Sequence, residues 1–295
     1  MNWVYFSLLQ VFLSAGMAES NRRLQLDGVR LNFWRTLLLS GLFSIPACYV
    51  PWPHANGFYV AALFSGVASA VASIAIFTMS ARFNGRVALL QVPITTLMTF
   101  LAWLPFDTRF PVMVQQAPLQ VAAIAACLLC ASLCMVAMQR HSIGADTLRI
   151  IVPVSMLATA SGIAGKLAIS HEGTLTDSIV VISFLVMVTQ TLFSGALMLR
   201  TARHHAREAT PYPLFPPKMH KGMVIMAFWG GSGCYVSWLA IGLAPNPGYA
   251  NAVFLLTPVL MLFYHKAIGI KDDASPLAGT VLTLAIIALV ILSAS

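Results

Sequence analysis

The sequence contains few charged residues: only 9% of its 295 residues are Asp, Glu, Lys or Arg, whereas soluble domains carry about 25%. Hydrophobic residues make up 59% of the chain, and its mean hydropathy is +0.83. So little polar surface cannot cover a globular protein in water, which excludes a soluble fold. We therefore predict an all-α integral membrane protein whose solvent is mostly lipid.

Carboxylates are the scarcest charged groups, with nine Asp and Glu against 17 Lys and Arg. Only Glu19 falls within a predicted helix, near its end. Proton coupling requires an ionisable group inside the membrane, so Glu19 is the single carboxylate candidate, with an interfacial position as the alternative. Lys166 either meets an anionic group of a substrate or extends to the membrane surface.

Sequence motifs of intramembrane enzymes are absent, including His-Glu-x-x-His, paired intramembrane aspartates and acid-rich metal motifs. Cys127 and Cys130 form a Cys-x-x-Cys motif, but no second Cys or His pair accompanies it. We therefore predict no enzyme activity, no catalytic residue, no cofactor and no metal. The basic residues lie between apolar runs, so nucleic acid is not a predicted partner despite the net charge of +8.

Ten apolar runs approach the length of about 20 residues that a membrane-spanning helix needs. They cover about 2–18, 31–50, 57–80, 86–106, 118–138, 148–169, 178–199, 222–243, 248–270 and 276–294. The first run has no basic residue before it and no cleavage signal, so we predict a retained helix rather than a signal peptide.

The two halves of the sequence, 1–145 and 146–295, share weak similarities that predict two five-helix repeats. The matched segments are 14–19 with 161–166, 64–66 with 228–230, and 92–94 with 257–259. Their offset increases after the first pair, where the second half contains a basic, proline-rich segment at 201–221. We predict this basic segment to be a solvated cytoplasmic loop. Because five is an odd number, the second repeat is predicted to be inverted relative to the first.

The basic residues also predict an orientation, since Lys and Arg in short loops favour the cytoplasm. All of them except Arg109 and Lys166 lie in or beside linkers on one side of the ten predicted helices. This bias places both termini outside the cytoplasm. The predicted location is a bacterial inner membrane.

Polar residues within the predicted helices are the candidates for a substrate pathway, because a solute must exchange water for protein contacts. Interhelical hydrogen bonds are the alternative role for the glutamines, and close packing is the alternative for the serines. The candidates are Gln10, Ser14, Glu19, Ser69, Gln91, Thr95, Ser155, Lys166, Gln190, Trp229, Tyr235, Trp238 and Asn251. Pro93 and Pro258 are predicted to kink the fourth and ninth helices.

The eighth run is the most unusual, with three glycines in four positions at 230–233. Glycines weaken a helix, and unpaired backbone groups in lipid are tolerated beside a cavity. Trp229, Tyr235 and Trp238 offer aromatic faces for a cationic or aromatic solute. Glycine-mediated packing and an interfacial aromatic belt are the alternatives.

Together these features resemble the drug/metabolite transporter superfamily, whose members have ten helices in two inverted five-helix halves. Local support comes from segments 14–16 and 161–163, from Arg35 early in the second helix, and from Pro93 and Pro258. The resemblance implies a secondary transporter that moves a small metabolite or drug-like solute by alternating access, in export or exchange. Its expected partners are that solute and membrane lipid, and the chain is expected to be a monomer or homodimer.

Two features depart from the superfamily. Its members usually have cytoplasmic termini, and many have a basic residue where this chain has Glu19. Two other functions stay open: a flippase for lipid-linked substrates that uses basic residues at the membrane face, and a non-transporting accessory subunit.

Overall fold

The computed structural model describes residues 2–82, 91–138, 145–170, 173–208, 210–270 and 275–294. These residues are 86% helical and include no β-strand. The α-helices are α1 (Asn2–Leu24), α2 (Gly28–Ala47), α3 (Asn56–Arg82), α4 (Gln91–Trp103), α5 (Phe110–Gln116), α6 (Pro118–Ala137), α7 (Ala145–Ile169), α8 (Leu175–Arg207), α9 (Met219–Leu243), α10 (Pro247–Phe254), α11 (Thr257–Ala267) and α12 (Pro276–Ala294).

Among the described residues, seven segments are long and apolar enough to cross a membrane, namely α3, α6, α7, α8, α9, the pair α10–α11, and α12. The prediction of an all-helical chain is therefore confirmed, and the seven segments support an integral membrane protein. Helices α1 and α2 also coincide with predicted runs, but polar and charged side chains lower their hydropathy. Residues 86–90 of the fourth predicted run lie outside the described residues, and the remainder forms α4 and a short 3-10 turn. The ten-span repeat and the orientation of the termini stay predictions.

The ninth predicted run is two helices rather than one, because the chain leaves the α-helix at Leu255 and Leu256. Pro258 has no backbone N–H, so it cannot donate to the carbonyl of Phe254 four residues earlier. The Thr257 hydroxyl donates to that carbonyl instead, at 2.7 Å. A side chain thus replaces the lost backbone bond. The predicted kink at Pro93 remains a prediction.

The first part of the basic segment is helical rather than a loop, because α8 continues to Arg207. Its last turn contains His204, His205 and Arg207, and cations there interact favourably with the helix dipole. The short helix α5 was likewise not predicted. Its apolar sequence is too short to stand out in a search for membrane-length runs.

The remainder of the basic segment is docked on the start of α2. Arg30 donates from Nη1 to the carbonyl of Pro213 at 2.9 Å, and the Trp34 indole donates to the carbonyl of Leu214 at 2.9 Å. Arg30 also lies over the Tyr212 ring, 4.4 Å from its centroid. Burial raises the pKa of Tyr212; Asp27 adds to the rise and Arg30 opposes it. The predicted solvated loop is therefore anchored.

The chain forms two compact units. Unit 1 contains residues 1–15, 89–163 and 236–295, and unit 2 contains residues 16–88 and 164–235. Each unit draws segments from both predicted sequence halves. The halves remain a prediction about internal repetition, which is a different division of the chain.

In unit 2, α2 packs against α3 and α8 through small residues. A Cβ at Gly28 would lie 2.5 Å from the Thr78 hydroxyl, and a Cβ at Gly195 would lie 3.0 Å from the Phe33 ring. Helices associate in lipid by such close approach, because lipid supplies no hydrophobic drive. This packing brings the polar side chains of α2 and α8 together.

In unit 1, α4 packs against α10, and α6 packs against α12. A Cβ at Gly248 would lie 2.6 Å from the Cβ of Phe100 and 2.7 Å from its Cα. Asn246 caps α10 by accepting from the Gly248 N–H at 2.8 Å. Its amide also donates to the Phe100 carbonyl at 3.3 Å. These contacts fix α10 against α4.

Candidate functional site

The central feature of unit 2 is a buried arginine within α2. Arg35 is only 5% exposed, although the helix is otherwise rich in leucine and aromatic residues. Its guanidinium lies 4.9 Å from the centroid of the Phe77 ring on α3. An arginine in this setting is costly and needs specific partners.

One neutral side chain positions this arginine. Nη2 of Arg35 donates to Oδ1 of Asn32 at 2.9 Å, while Nδ2 of Asn32 donates to Ser194 on α8 at 2.8 Å. Asn32 thus bridges the arginine to the neighbouring helix. Within the described residues, Nε of Arg35 is buried without a hydrogen-bond partner.

Hydroxyl groups continue the polar contact between α2 and α8. Thr191 donates to Thr36 at 2.9 Å and lies 3.2 Å from the Ser40 hydroxyl. Thr36 in turn donates to the Asn32 carbonyl at 2.7 Å. The two helices therefore share a ladder of hydrogen bonds that begins at Asn32 and orients it toward Arg35.

Glycines of α9 allow close approach to α2 beside the arginine. A Cβ at Gly230 would lie 2.8 Å from Nη1 of Arg35, and a Cβ at Gly231 would lie 2.5 Å from the Leu39 side chain. Next to this contact, α2 and α9 line an open apolar groove of about 480 Å³. The sequence-predicted Tyr235 is one of its lining residues. Gly230 and Gly231 thus permit close helix packing, one of the alternatives considered above, and Gly231 also lines the groove.

Among the described residues, no carboxylate neutralises Arg35. In unit 2, Glu19 pairs with Arg22 at 2.8 Å and with Arg23 at 2.7 Å. Asp27 pairs with Arg30 at 3.3 Å.

The two later carboxylates among the described residues of unit 2 are also engaged. Asp177 accepts from the Thr174 hydroxyl at 2.6 Å, and Glu208 lies 3.4 Å from His204. The charge of Arg35 is therefore not balanced by the protein groups described.

A second basic cluster lies at the end of α8. Arg200, Arg203, His204 and Arg207 line a cavity of about 530 Å³ with Ala196 and Leu199. Most of these polar side chains are exposed, unlike Arg35. This cluster is a surface feature of the basic segment.

The other predicted pathway residues of unit 2 have varied environments. Glu19 and Lys166 are 8% and 7% exposed, and both have polar or ionic partners. Ser69 is half-buried and partnered. Trp229 covers Gly16, where an added Cβ would lie 2.8 Å from the indole ring.

Four predicted pathway residues have buried oxygens without partners in the described residues. They are Gln10, Gln91 and Thr95 in unit 1, and Gln190 in unit 2. The amide nitrogen of Gln10 donates to Ser14 at 3.0 Å, so only its Oε1 is unpaired. An unpaired amide oxygen in an apolar helix bundle is a cost that a solute or water can offset.

The remaining predicted residues of unit 1 pair with neighbouring polar groups or are buried. Ser155 donates to the Ile151 carbonyl at 2.9 Å and contacts the Gln91 carbonyl at 3.3 Å. Asn251 donates to Thr99 at 3.2 Å. Trp238 is buried.

An aromatic cluster of unit 1 was not predicted from the sequence. The ring centroid of Tyr249 lies 6.4 Å from that of Trp3 and 5.8 Å from that of Phe100. All three side chains are buried. The aromatic residues of the eighth run lie close together in the sequence. Trp3, Phe100 and Tyr249 are far apart in the chain and come together only in the fold.

Asn32 was not predicted as a site residue. Arg35 was predicted only as support for the family resemblance, as an orientation-setting residue and as one of the basic residues that a flippase could use. One signal was available: Asn32 precedes Arg35 by about one helical turn, so both lie on one face of an otherwise apolar helix. In the part of the chain that the structure describes, no three His, Cys, Asp or Glu side chains form a group able to hold a metal ion. No protein-family model matches the sequence, and no curated protein is significantly similar to it.

Proposed function

We propose that this protein is a secondary transporter that moves a small metabolite or drug-like solute across the membrane by alternating access, in export or exchange. The supporting observation is the set of buried, unpartnered oxygens on Gln10, Gln91, Thr95 and Gln190. Groups that need water or a solute recur within apolar helices, which is what a permeation pathway requires.

Two further features support alternating access in a repeated bundle. The break between α10 and α11 resembles the discontinuous helices of many transporters, whose solute sites lie near such breaks. Each compact unit contains segments from both sequence halves, as a pair of interleaved repeats would give. The ten-helix inverted repeat and its orientation belong to this proposal.

The test is solute flux in proteoliposomes containing the purified full chain. Labelled amino acids, nucleotides, amines and organic acids serve as probes, with protein-free liposomes as the reference. We expect protein-dependent exchange of at least one class. Absence of flux for all classes contradicts the proposal and favours an accessory subunit.

Variants test whether the unpaired amides belong to the pathway. Gln91→Leu and Gln190→Leu should reduce flux about tenfold or more, the effect of losing a hydrogen bond of about 1.4 kcal/mol to the moving solute. Their thermal unfolding should be unchanged, because no protein partner is lost. Gln116→Leu alters an exposed glutamine and is the matched control. Equal flux in all three variants contradicts a pathway role for these amides.

A flippase for lipid-linked substrates is a second candidate, favoured by the apolar groove between α2 and α9. Leu42 and Phe228 in this groove are more than half exposed, so a hydrocarbon chain has access to it. A fluorescent short-chain phospholipid in the same liposomes tests this function. Protein-dependent loss of leaflet asymmetry supports the flippase over the solute transporter.

A further inference from the structure

We propose that Arg35 binds an anionic oxygen group, a carboxylate or phosphate, so that the transported substrate is an anion. This inference rests on the proposed transport function and names its substrate class. It begins from an arginine that is buried in an apolar unit, forms no ion pair with any described carboxylate, and retains an unpartnered Nε.

Arg35 has no countercharge among the described residues. A buried ion without a paired charge is strongly unfavourable, because desolvation is not offset by attraction. Asn32 accepts one hydrogen bond from Arg35 but carries no charge, and the Phe77 ring supplies only a weak cation–π attraction. The desolvation cost of the guanidinium that these two contacts do not offset favours a bound anion.

The donor geometry selects the kind of anion. A guanidinium presents its N–H groups in a planar fork that matches the paired oxygens of a carboxylate or phosphate. Asn32, itself held by Ser194, binds one edge of the Arg35 guanidinium, and the close approach of α9 at Gly230 limits its movement. An acceptor that binds such a fixed group loses little entropy in ordering it.

The basic cluster at the end of α8 is the competing anion site. Its arginines are mostly exposed, so their hydration weakens an anion's attraction, and salt screens it. A buried arginine is screened much less. Binding at Arg35 should therefore persist at a salt concentration that abolishes binding at Arg203.

The first experiment measures thermal unfolding of the purified full chain in detergent at constant ionic strength. Inorganic phosphate and citrate are the soluble probes, and chloride is the reference anion. In phosphatidylcholine nanodiscs, replacing part of the lipid by phosphatidic acid supplies the same chemistry on a lipid. We expect one of these probes to stabilise the protein above its reference.

Four variants locate the stabilising site. Arg35→Gln should weaken probe binding about tenfold or more, the loss typical of a charge-assisted hydrogen bond. Arg35→Lys should restore it only in part, because it keeps the charge and loses the fork. Arg109→Gln removes one exposed positive charge in unit 1 and should leave binding unchanged, whereas Arg203→Gln reports on the basic cluster.

Asn32→Asp keeps the inference testable if Arg35→Gln does not fold. It places a carboxylate where Oδ1 of Asn32 accepts from Arg35, so the protein supplies its own countercharge. We expect a stable protein that no longer responds to the anion. An unchanged response in Asn32→Asp overturns the assignment.

The outcomes separate the possible sources and the two proposals. Stabilisation by phosphate or citrate indicates a soluble anion, and stabilisation by phosphatidic acid alone indicates a lipid-borne anion; either supports the site when Arg35→Gln abolishes it. No stabilisation by any probe, or a loss only in Arg203→Gln, overturns it. Arg35-dependent binding without flux contradicts transport alone, whereas flux that survives without such binding contradicts the anion site alone.

Discussion

The two compact units differ in the kinds of polar side chain that they bury. In unit 2, three ionisable side chains are buried among the described residues: Glu19, Arg35 and Lys166. In unit 1, the buried polar groups of the described residues are hydroxyls, the Asn246 amide, the amide oxygens of Gln10 and Gln91, and the imidazole of His265. Charge therefore lies inside one unit, while the other relies mainly on neutral groups.

This difference shows how a membrane protein can contain charge without many acids. Unit 2 pairs Glu19 with adjacent arginines of its own helix, and positions Arg35 through the amide of Asn32. The charge of Glu19 is neutralised within its own helix, but Arg35 is only oriented by Asn32 and keeps its charge unpaired. An oriented, uncompensated cation is suited to binding an anion, whereas the neutral groups of unit 1 offer only uncharged hydrogen-bonding partners.

The largest loss of stability is expected at Gly248 in unit 1, where the Phe100 backbone leaves no room for an added Cβ. Gly248→Ala places a Cβ against the backbone of Phe100 and should destabilise the protein by about 1–3 kcal/mol, the cost typical of overpacking. Gly230→Ala in unit 2 meets a side-chain atom, Nη1 of Arg35, rather than backbone, and should cost less. Thermal unfolding of both, with Gly57→Ala as an open-site control, measures the contrast. Equal costs would contradict a difference in the ability of the two sites to adjust.

An intermediate effect is expected from two matched asparagines. Asn32→Leu removes partners from both Arg35 and Ser194, and should lower the free energy of unfolding by about 1–3 kcal/mol because a charged group loses an acceptor. Asn251→Leu removes one neutral bond to Thr99 and should cost about 0.5–1.5 kcal/mol. Chemical denaturation of both variants in mild detergent measures their free energies of unfolding. A larger loss of unfolding free energy in Asn251→Leu than in Asn32→Leu would contradict the expected difference between the units.

The smallest effect is expected at the break in unit 1. Thr257→Val deletes the hydroxyl that donates to the Phe254 carbonyl, and should cost about 0.5–1.5 kcal/mol. Thr280→Val removes a similar hydroxyl contact at an exposed position and is the control. Unfolding temperatures of the two variants report the difference. If Thr257→Val is no worse than its control, the hydroxyl does not support the break.

Much of the fold follows from the sequence because helices in lipid must satisfy their own backbone. Most apolar runs coincide with single observed helices, whereas the ninth run is divided into α10 and α11. The break at Leu255 and Leu256 was predicted only as a kink at Pro258, since whether the freed Phe254 carbonyl finds the Thr257 hydroxyl depends on local geometry. The helical start of the basic segment was missed because its charges resemble those of a loop.

The candidate site was only partly predictable. Glutamine and threonine in apolar runs marked Gln10, Gln91, Thr95 and Gln190, and the oxygens of these side chains lack partners in the described residues. Arg35 was indistinguishable from an orientation-setting arginine. Its burial depends on neighbours far away in the chain.

The sequence by itself determined the helical class and the apolar surroundings, because composition and run length report directly on the solvent that the chain requires. Only the tertiary structure decided which polar groups are paired. Glu19 acquires two arginines from its own helix, while Arg35 meets Asn32 of its own helix, the Phe77 ring of α3 and Gly230 of α9. Pairing depends on distances between helices, and the order of residues along the chain does not specify them.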